Sequence, residues 1–293
     1  MAYQTGTAAS MAALLSTIQT FATSNGFSAT GNILYTTNSW TTVTTAVNTG
    51  FSSITLRGSY DTSGTLNQSP TNLYFTIPDG NWPITYHLFG YGSPTNLFCI
   101  AEWGAGITSW LAFGEYRKSS SLITGNAFCA AHKGSLLNAT QYYRLTSTTG
   151  GDSSPVGSSG AFCWFDGAAF CTFVAHNIEG RKWSGITDAF TVGYLKGIAG
   201  LYPFWERGVN TWNNQSILLP IRIMTEAKAA YTMDLGDIPN VRYIRVDNYN
   251  NGDTITLGAD TWKIFAFIKK NLTNPTFSYG GDHTCGFGWA FKI

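Results

Sequence analysis

Residues 97–103 (LFCIAEW) and residues 109–116 (SWLAFGEY) are short segments rich in aromatic and aliphatic side chains, separated by Gly104-Ala105-Gly106. Short apolar runs bounded by turn-forming residues are typical of β-strands. The glycine-rich break between them is suited to the turn of a hairpin. Residues 87–91 form a similar run before them. We therefore expect three successive strands in this part of the chain.

Similar short runs recur outward from this region in both directions. They are β-branched or aromatic, and Gly, Asn, Ser or Pro separates them. They lie at residues 33–35, 52–56, 73–77, 241–246, 254–257, 262–268 and 286–291, with turns at 250–253 and 258–260. The pattern predicts a mainly β protein, α+β at the margin, with antiparallel sandwich-like or barrel-like sheets and one N-terminal amphipathic helix.

Three segments bear on how the chain is organised. Asp166-Gly167 lies between apolar residues 161–165 and 169–175, which favours a hairpin. Residues 150–160 (GGDSSPVGSSG) have the composition of a flexible exposed loop. Residues 226–233 suit a short helix or a strand equally. The segments on both sides of this loop have the same pattern of short apolar runs separated by turn residues. We therefore expect one β-rich unit over 1–293, with its C-terminal β segment at about 240–293.

The N-terminal segment predicts an amphipathic helix over about residues 10–25. Its apolar positions follow the spacing of one helical face: Met11, Leu14, Leu15, Ile18, Phe21 and Ala22. Thr7 or Ser10 can cap its start, and Gly26 can end it. The opposite face carries Ser, Thr and Gln but no charge, so we expect protein on both sides of this helix, such as a neighbouring subunit. A cleaved or disordered leader is the alternative.

The composition favours a protein that associates with others. Charged residues make up 11% of the chain, against about 25% in an ordinary domain. With a net charge of +1, we expect no nucleic-acid binding and no polybasic membrane contact. The N-terminus lacks the features of a signal peptide, and no apolar run is long enough to span a membrane. Surfaces poor in charge are common in assemblies and in sugar-binding modules.

Both ends of the chain carry a resemblance to a known family. Residues 235–243 (LGDIPNVRY), residues 254–265 (TITLGADTWKIF), residues 268–271 (IKKN) and residues 286–292 (GFGWAFK) resemble the C-terminus of tailed-bacteriophage virion structural proteins. Residues 3–8 (YQTGTA), which lead into the helix, resemble the start of the same proteins. The resemblance implies a non-enzymatic virion component, of the tail or baseplate, assembled in the host cytoplasm. It implies no catalytic residues.

The sequence also contains residues that could serve other chemistry. The five cysteines are scattered among apolar residues, which favours buried thiols. A metal site would use Cys163, Cys171 and His176, but no CxxC pair supports one. Cys129 and His132 could form a nucleophile pair. Glycosidase chemistry would need two facing carboxylates, drawn from Asp166, Glu179, Asp188 and Glu206. We expect no catalytic site, no metal and no cofactor.

The expected partners are other copies of this chain and other tail or baseplate proteins. The apolar side chains expected at such interfaces are Met11, Leu14, Leu15, Ile18, Phe21, Trp262, Phe265 and Trp289. A capsid decoration or collar protein would have similar features. The alternative function is a carbohydrate- or receptor-binding module that recognises a host-surface glycan, because aromatic faces stack on sugars. Its candidate tryptophans are Trp82, Trp103, Trp110, Trp183 and Trp212.

Overall fold

The computed structural model describes most of the N-terminal half of the chain and parts of the remainder. The described residues are 1–69, 72–104, 106–131, 165–166, 169–170, 172–176, 182–184, 218–227, 231–246, 248–266, 270 and 287–293. No helix among them is both long and apolar enough to cross a membrane.

The described elements are one α-helix, one short 3-10 helix at Asp79–Asn81, and twenty strands. The helix α1 spans Met11–Ser24. The strands are β1 Ala2–Ala8, β2 Ser28–Thr30, β3 Ile33–Tyr35, β4 Trp40–Asn48, β5 Phe51–Ser59, β6 Leu73–Pro78, β7 Ile84–Gly92, β8 Thr95–Trp103, β9 Ile107–Glu115, β10 Arg117–Lys118, β11 Ala127–Ala131, β12 Phe165–Asp166, β13 Ala169–Phe170, β14 Thr172–His176, β15 Lys182–Ser184, β16 Leu219–Ala227, β17 Tyr231–Arg245, β18 Thr254–Leu257, β19 Asp260–Ala266 and β20 Phe287–Lys292.

These strands form three larger sheets, and every pairing between them is antiparallel. The central sheet has seven strands in the order β1-β7-β8-β9-β11-β14-β15. The N-terminal sheet has five strands in the order β2-β3-β4-β5-β6. The C-terminal sheet has six strands, in the order β10-β17-β20-β19-β18 with β16 also paired to β17. The predicted β-rich fold with antiparallel sheets and an N-terminal helix is therefore confirmed.

The middle strands β8 and β9 of the central sheet are buried on both faces, which explains why they are apolar almost without interruption. Along β8, Leu97 and Cys99 enter the core shared with α1 and the N-terminal sheet. Phe98 and Ile100, which alternate with them, enter the core shared with the C-terminal sheet. Successive side chains of a strand point to opposite faces. The predicted hairpin is confirmed, because Trp103 of β8 pairs with Ile107 of β9.

The helix α1 confirms the predicted apolar face, since all six residues of that face are buried. Ser10 is its N-cap, and its hydroxyl accepts a hydrogen bond from the Ala13 N–H at 3.2 Å. Thr7 was the alternative cap, but it lies in β1. Gly26 follows the C-cap Asn25 with φ of +95°, a conformation that glycine adopts without strain.

The C-terminal sheet packs its aromatic side chains on the central sheet. Phe89 of β7 stacks on Phe291 of β20 with ring centroids 4.2 Å apart. Trp110 of β9 meets Trp289 of β20 edge to face at 5.3 Å. Such pairs add about 0.5–1.5 kcal/mol each to the free energy of area burial. The two sheets are therefore held together by an aromatic core.

Several elements differ from the sequence prediction. Strands β1, β4 and β11 were not predicted at all. The predicted hairpin around Asp166-Gly167 is confirmed in a shorter form, because β12 pairs with β13, but the residues after it form β14, which pairs with β11 of the central sheet. The ends of residues 226–233 are strand in β16 and β17, which excludes a helix over the whole segment. The predicted loop at 150–160 lies outside the described residues.

Candidate functional site: a polar cluster between two sheets

Five polar side chains meet where the first strand, the central sheet and the C-terminal sheet come together. We call this set the polar cluster, and its members are Tyr3, His87, Glu102, Asn251 and Lys263. Two neighbouring strand pairings bring the first three together. Tyr3 lies opposite Phe89, so it is diagonal to His87. Diagonal cross-strand neighbours are within reach of long side chains.

Tyr3, His87 and Glu102 form a continuous chain of hydrogen bonds across three strands. The Tyr3 hydroxyl lies 2.9 Å from Nδ1 of His87. The other ring nitrogen of His87, Nε2, lies 2.9 Å from Oε1 of Glu102. His87 is buried, with 8% of its surface exposed. Both of its ring nitrogens are therefore engaged within the protein.

The C-terminal sheet closes the cluster from the other side. The Asn251 side-chain amide donates to Oε2 of Glu102 at 2.9 Å, and its oxygen accepts from the Ala266 N–H at 2.9 Å. The Lys263 ammonium lies 5.4 Å from the centre of the Tyr3 ring and donates to the Gly252 carbonyl at 2.9 Å. A cation placed over an aromatic face is stabilised by the ring quadrupole.

Burial and charge act in opposite directions on the carboxylate of this cluster. Burial by itself raises the pKa of Glu102. Hydrogen bonds from His87 and Asn251, with the charges of His87 and Lys263, outweigh burial and lower that pKa below its ordinary value. Burial also raises the pKa of Tyr3, and the nearby charge of Glu102 raises it further. A hydrogen bond with Thr5 lowers that pKa, but the net shift is upward. The carboxylate is thus stabilised as an anion and the phenol in its neutral form.

The arrangement is suited to holding layers together. The hydrogen bonds join Tyr3 of β1 to β7 and β8 of the central sheet, and Asn251 joins Glu102 to the C-terminal sheet. Hydrogen bonds to an ionised carboxylate are charge-assisted and stronger than neutral ones. The cluster therefore bridges β1, the rest of the central sheet and the C-terminal sheet.

The predicted interface side chains lie inside this chain. The eight residues have at most 9% of their surface exposed: Met11, Leu14, Leu15, Ile18, Phe21, Trp262, Phe265 and Trp289. The helix residues pack in the core under the N-terminal sheet, and Phe265 and Trp289 pack in the aromatic core. This corrects the prediction, because side chains that fill the chain's own core offer no surface to a partner. The sequence pattern identified their apolar character but not what covers them.

The tryptophans proposed for sugar stacking are distributed differently from the prediction. Trp103, Trp110 and Trp183 are buried, each with no more than 5% exposed. Trp82 is half-buried, and Trp212 lies outside the described residues. Trp183 fills the space above Gly58 and donates its indole N–H to the Asn67 carbonyl at 2.9 Å. Three of the five indole faces are therefore closed to a glycan.

The structure gives partial information on the remaining candidates. Cys99 and Cys129 are buried, and burial raises the pKa of the Cys99 thiol far above its usual range. The metal candidates Cys163 and Cys171 lie outside the described residues, as do His132, Glu179, Asp188 and Glu206. His176 and Asp166 lie in described strands, but their side chains do not belong to the described part. Within that part, no three His, Cys, Asp or Glu side chains are grouped as a metal site would require.

Sequence reasoning missed the polar cluster entirely. Its members are separated by up to 260 positions, and none belongs to a local motif. Only the register of β1 on β7 and of β7 on β8 reveals that Tyr3, His87 and Glu102 are neighbours. Comparison with known proteins adds no name to the site: no protein-family model matches the chain, and no curated protein matches it.

Proposed function

We propose that this chain is a non-enzymatic structural protein of a tailed-phage particle, an oligomeric subunit of the tail or baseplate. The observation that carries the proposal is where the phage-like sequence blocks lie. Residues 235–243 are in β17, residues 254–265 span β18 and β19, and residues 286–292 include β20. These strands are neighbours in one sheet. The C-terminal blocks of the resemblance therefore form one connected structural unit, while its N-terminal block, residues 3–8, lies in β1 of the central sheet.

The side chains of these blocks support a structural role. Leu235, Tyr243 and Trp289 are buried in the aromatic core. The Lys292 ammonium pairs with the Asp260 carboxylate at 2.7 Å, which joins the last strand to β19. The Arg242 guanidinium lies 5.2 Å from the centre of the Trp262 ring. Residues within these blocks thus bond to one another, as expected if they preserve a fold.

The way the N-terminal and C-terminal strands are held also supports a building block. Strand β1 is hydrogen-bonded into the central sheet and tied to the C-terminal sheet through the polar cluster. Strand β20 lies between β17 and β19. The Tyr91 hydroxyl donates to the Lys292 carbonyl at 3.0 Å, across the two sheets. A subunit that must hold its shape within an assembly benefits from such fixed strands.

Quantitative mass spectrometry of purified particles, combined with analytical ultracentrifugation of the purified chain, tests this proposal. We expect several copies of the chain per particle and a defined homo-oligomer in solution. Electron microscopy of particles labelled with an antibody against the chain should place it on the tail or baseplate. A chain that stays monomeric and is absent from particles would refute the proposal. Label on the capsid or collar would refute the tail assignment alone.

A further inference from the structure

The strand β1 forms an open edge of the central sheet. Within the described part of the chain, β7 is its only strand partner. Its seven residues pair with β7 in unbroken register, from Ala2 opposite Gly90 to Ala8 opposite Ile84. Gln4, Thr5 and Thr7 are exposed. On its far side, β1 therefore presents backbone groups that have no strand partner among the residues described by the structure.

The residues of β1 itself provide none of the sequence devices by which proteins usually prevent edge-to-edge pairing. Charged side chains, prolines, bulges and very short strands are the common protections. The sequence of β1, AYQTGTA, contains no charge and no proline. Its register with β7 shows no shift, whereas the pairing of β16 with β17 shows two. An unprotected edge of this length is a template for another strand.

We propose that β1 pairs with β1 of a second copy of this chain, antiparallel and centred on Thr5, so that two central sheets join into one. The proposal deepens the proposed function, because it names one contact through which the subunit assembles, but it does not depend on the particle being a phage. In this register Thr5 lies opposite Thr5 of the copy, and Tyr3 lies opposite Thr7. All seven residues of each strand are then paired.

The charge and the register both favour a second copy as the occupant. A strand without charges places no like charges opposite each other when it pairs with itself, and opposed threonines form a favourable cross-strand pair. A slip by one residue would set side chains from opposite faces against each other. The next allowed register pairs only five residues of each strand, so the arrangement centred on Thr5 gives the largest overlap.

The helix α1 adds a second surface to the same contact. It covers β1 and β7, while β4 and β5 of the N-terminal sheet flank it. Its exposed residues, Ala12, Ala13, Ser16, Thr20, Thr23 and Ser24, carry no charge. The two-fold axis of an antiparallel strand pair is perpendicular to the sheet, so both copies of α1 lie on the same face of the joined sheet. The outer faces of the two helices can therefore approach each other without bringing like charges together.

The hydroxyl groups on this helix face are already bonded within the helix. Thr20 donates to the Ser16 carbonyl at 3.0 Å, and Ser24 donates to the Thr20 carbonyl at 3.0 Å. Thr23 donates to the Gln19 carbonyl at 3.1 Å. Burying these three groups in an interface therefore leaves none of their hydroxyl donors unpaired. A strand of about 23 Å and a helix of about 21 Å provide more area than a strand pair alone.

Cysteine cross-linking in the full chain tests the register. Thr5→Cys places two thiols directly opposite each other at the centre of the pairing. Thr7→Cys, a substitution of the same residue type on the same exposed strand, places them about 13 Å apart. With a thiol linker shorter than that separation, we expect at least tenfold more linked dimer from Thr5→Cys than from Thr7→Cys. Equal linking of the two variants, or none above the unsubstituted chain, would overturn the proposal.

Charge substitution at the same position provides an independent measurement. Thr5→Lys and Thr5→Glu each set like charges opposite each other, and we expect self-association to weaken at least tenfold in sedimentation while circular dichroism stays unchanged. An equal mixture of the two variants should recover the parental dimer. If both variants and their mixture keep the parental association, the edge pairing is wrong although the assembly proposal stands. A parental chain that is monomeric at all concentrations would overturn both.

Discussion

At the scale of single residues, the polar cluster shows how a register brings together side chains that no motif predicts. The Tyr3 hydroxyl, the His87 ring and the Glu102 carboxylate are bonded in series because each is diagonal to the next across paired strands. The lowered pKa of Glu102 means that the folded chain favours its charged form. This preference makes the stability of the protein depend on pH.

We expect the free energy of unfolding to fall as the pH drops below 4.5, the ordinary pKa of a glutamate. Because the folded pKa of Glu102 lies below its unfolded pKa, the stabilisation is present above that pH and is lost as the pH falls through the folded value. Urea denaturation between pH 3 and pH 7 measures it. Glu102→Gln should lower the stability at neutral pH and flatten the acidic part of the curve. An unchanged slope in the variant would contradict the assignment.

The packing of Trp183 on Gly58 leads to a second prediction. A Cβ atom at Gly58 would lie 2.3 Å from the Trp183 ring, so Gly58→Ala must displace a buried indole. Overpacking of this kind costs about 1–3 kcal/mol, measurable by urea denaturation. Gly92→Ala in β7 is the matched control, because its Cβ meets no atom within 4 Å. Equal stability of the two variants would show that Trp183 does not pack as described.

At the scale of elements, the helix cap is the clearest local contribution. The Ser10 hydroxyl accepts from the Ala13 N–H and satisfies a backbone donor at the start of α1. Ser10→Ala should lower the free energy of unfolding by about 0.5–2 kcal/mol. Thermal and urea denaturation, followed by circular dichroism, measure the loss.

The same substitution inside the helix is the control for the cap. Ser16 is an exposed residue of α1, away from the start of the helix. Because alanine has a higher helix propensity than serine, Ser16→Ala should leave the free energy of unfolding unchanged or raise it slightly. Similar losses in the Ser10 and Ser16 variants would argue against the cap.

The elements that the sequence predicted are those with a strong local pattern. The helix has six apolar residues on one face, and β8 and β9 are nearly continuous apolar runs around a glycine break. The sequences of β1 (AYQTGTA) and β4 (WTTVTTAVN) are rich in threonine and small residues. They become strands because β7 and β5 supply hydrogen-bonding partners. Pairing between distant segments cannot be read from local composition.

The candidate site could not be predicted from the sequence, because no local motif marks it. His87 was one of four histidines in the sequence, and Tyr3 belonged to a segment with no predicted strand. Their contact requires β1 to pair with a strand more than 80 positions away. The residues predicted at an interface show a different limit of sequence reasoning. Their apolar character was correctly identified, but the sequence cannot tell a core residue from an interface residue, because both positions favour the same side chains.

At the scale of the whole molecule, the central sheet is shared by both main cores. Strands β8 and β9 are buried on both faces, whereas β2 and most of β18 are exposed strands at the edges of their sheets. Opening of β8 or β9 would therefore disrupt both cores at once. Local opening of an edge strand disrupts neither.

Hydrogen exchange measured by mass spectrometry on the native chain tests this arrangement. We expect amides of β8 and β9 to exchange only through global unfolding, with protection that follows the free energy of unfolding in urea. Amides of β2 and β18 should exchange much faster by local opening. Similar protection in β18 and β8 would contradict the shared-core arrangement.

The position of β20 between β17 and β19 also sets an order of events during synthesis. On the ribosome, the N-terminal sheet and α1 can pair as soon as residues 1–78 have emerged. The C-terminal sheet cannot close until residues 287–292 are made, because among the described strands β17 and β19 are joined through β20. Until then the aromatic face of β7, β8 and β9 is not covered by Trp289 and Phe291 of β20. A growing chain is thus exposed to wrong contacts on this face until residues 287–292 have emerged and paired.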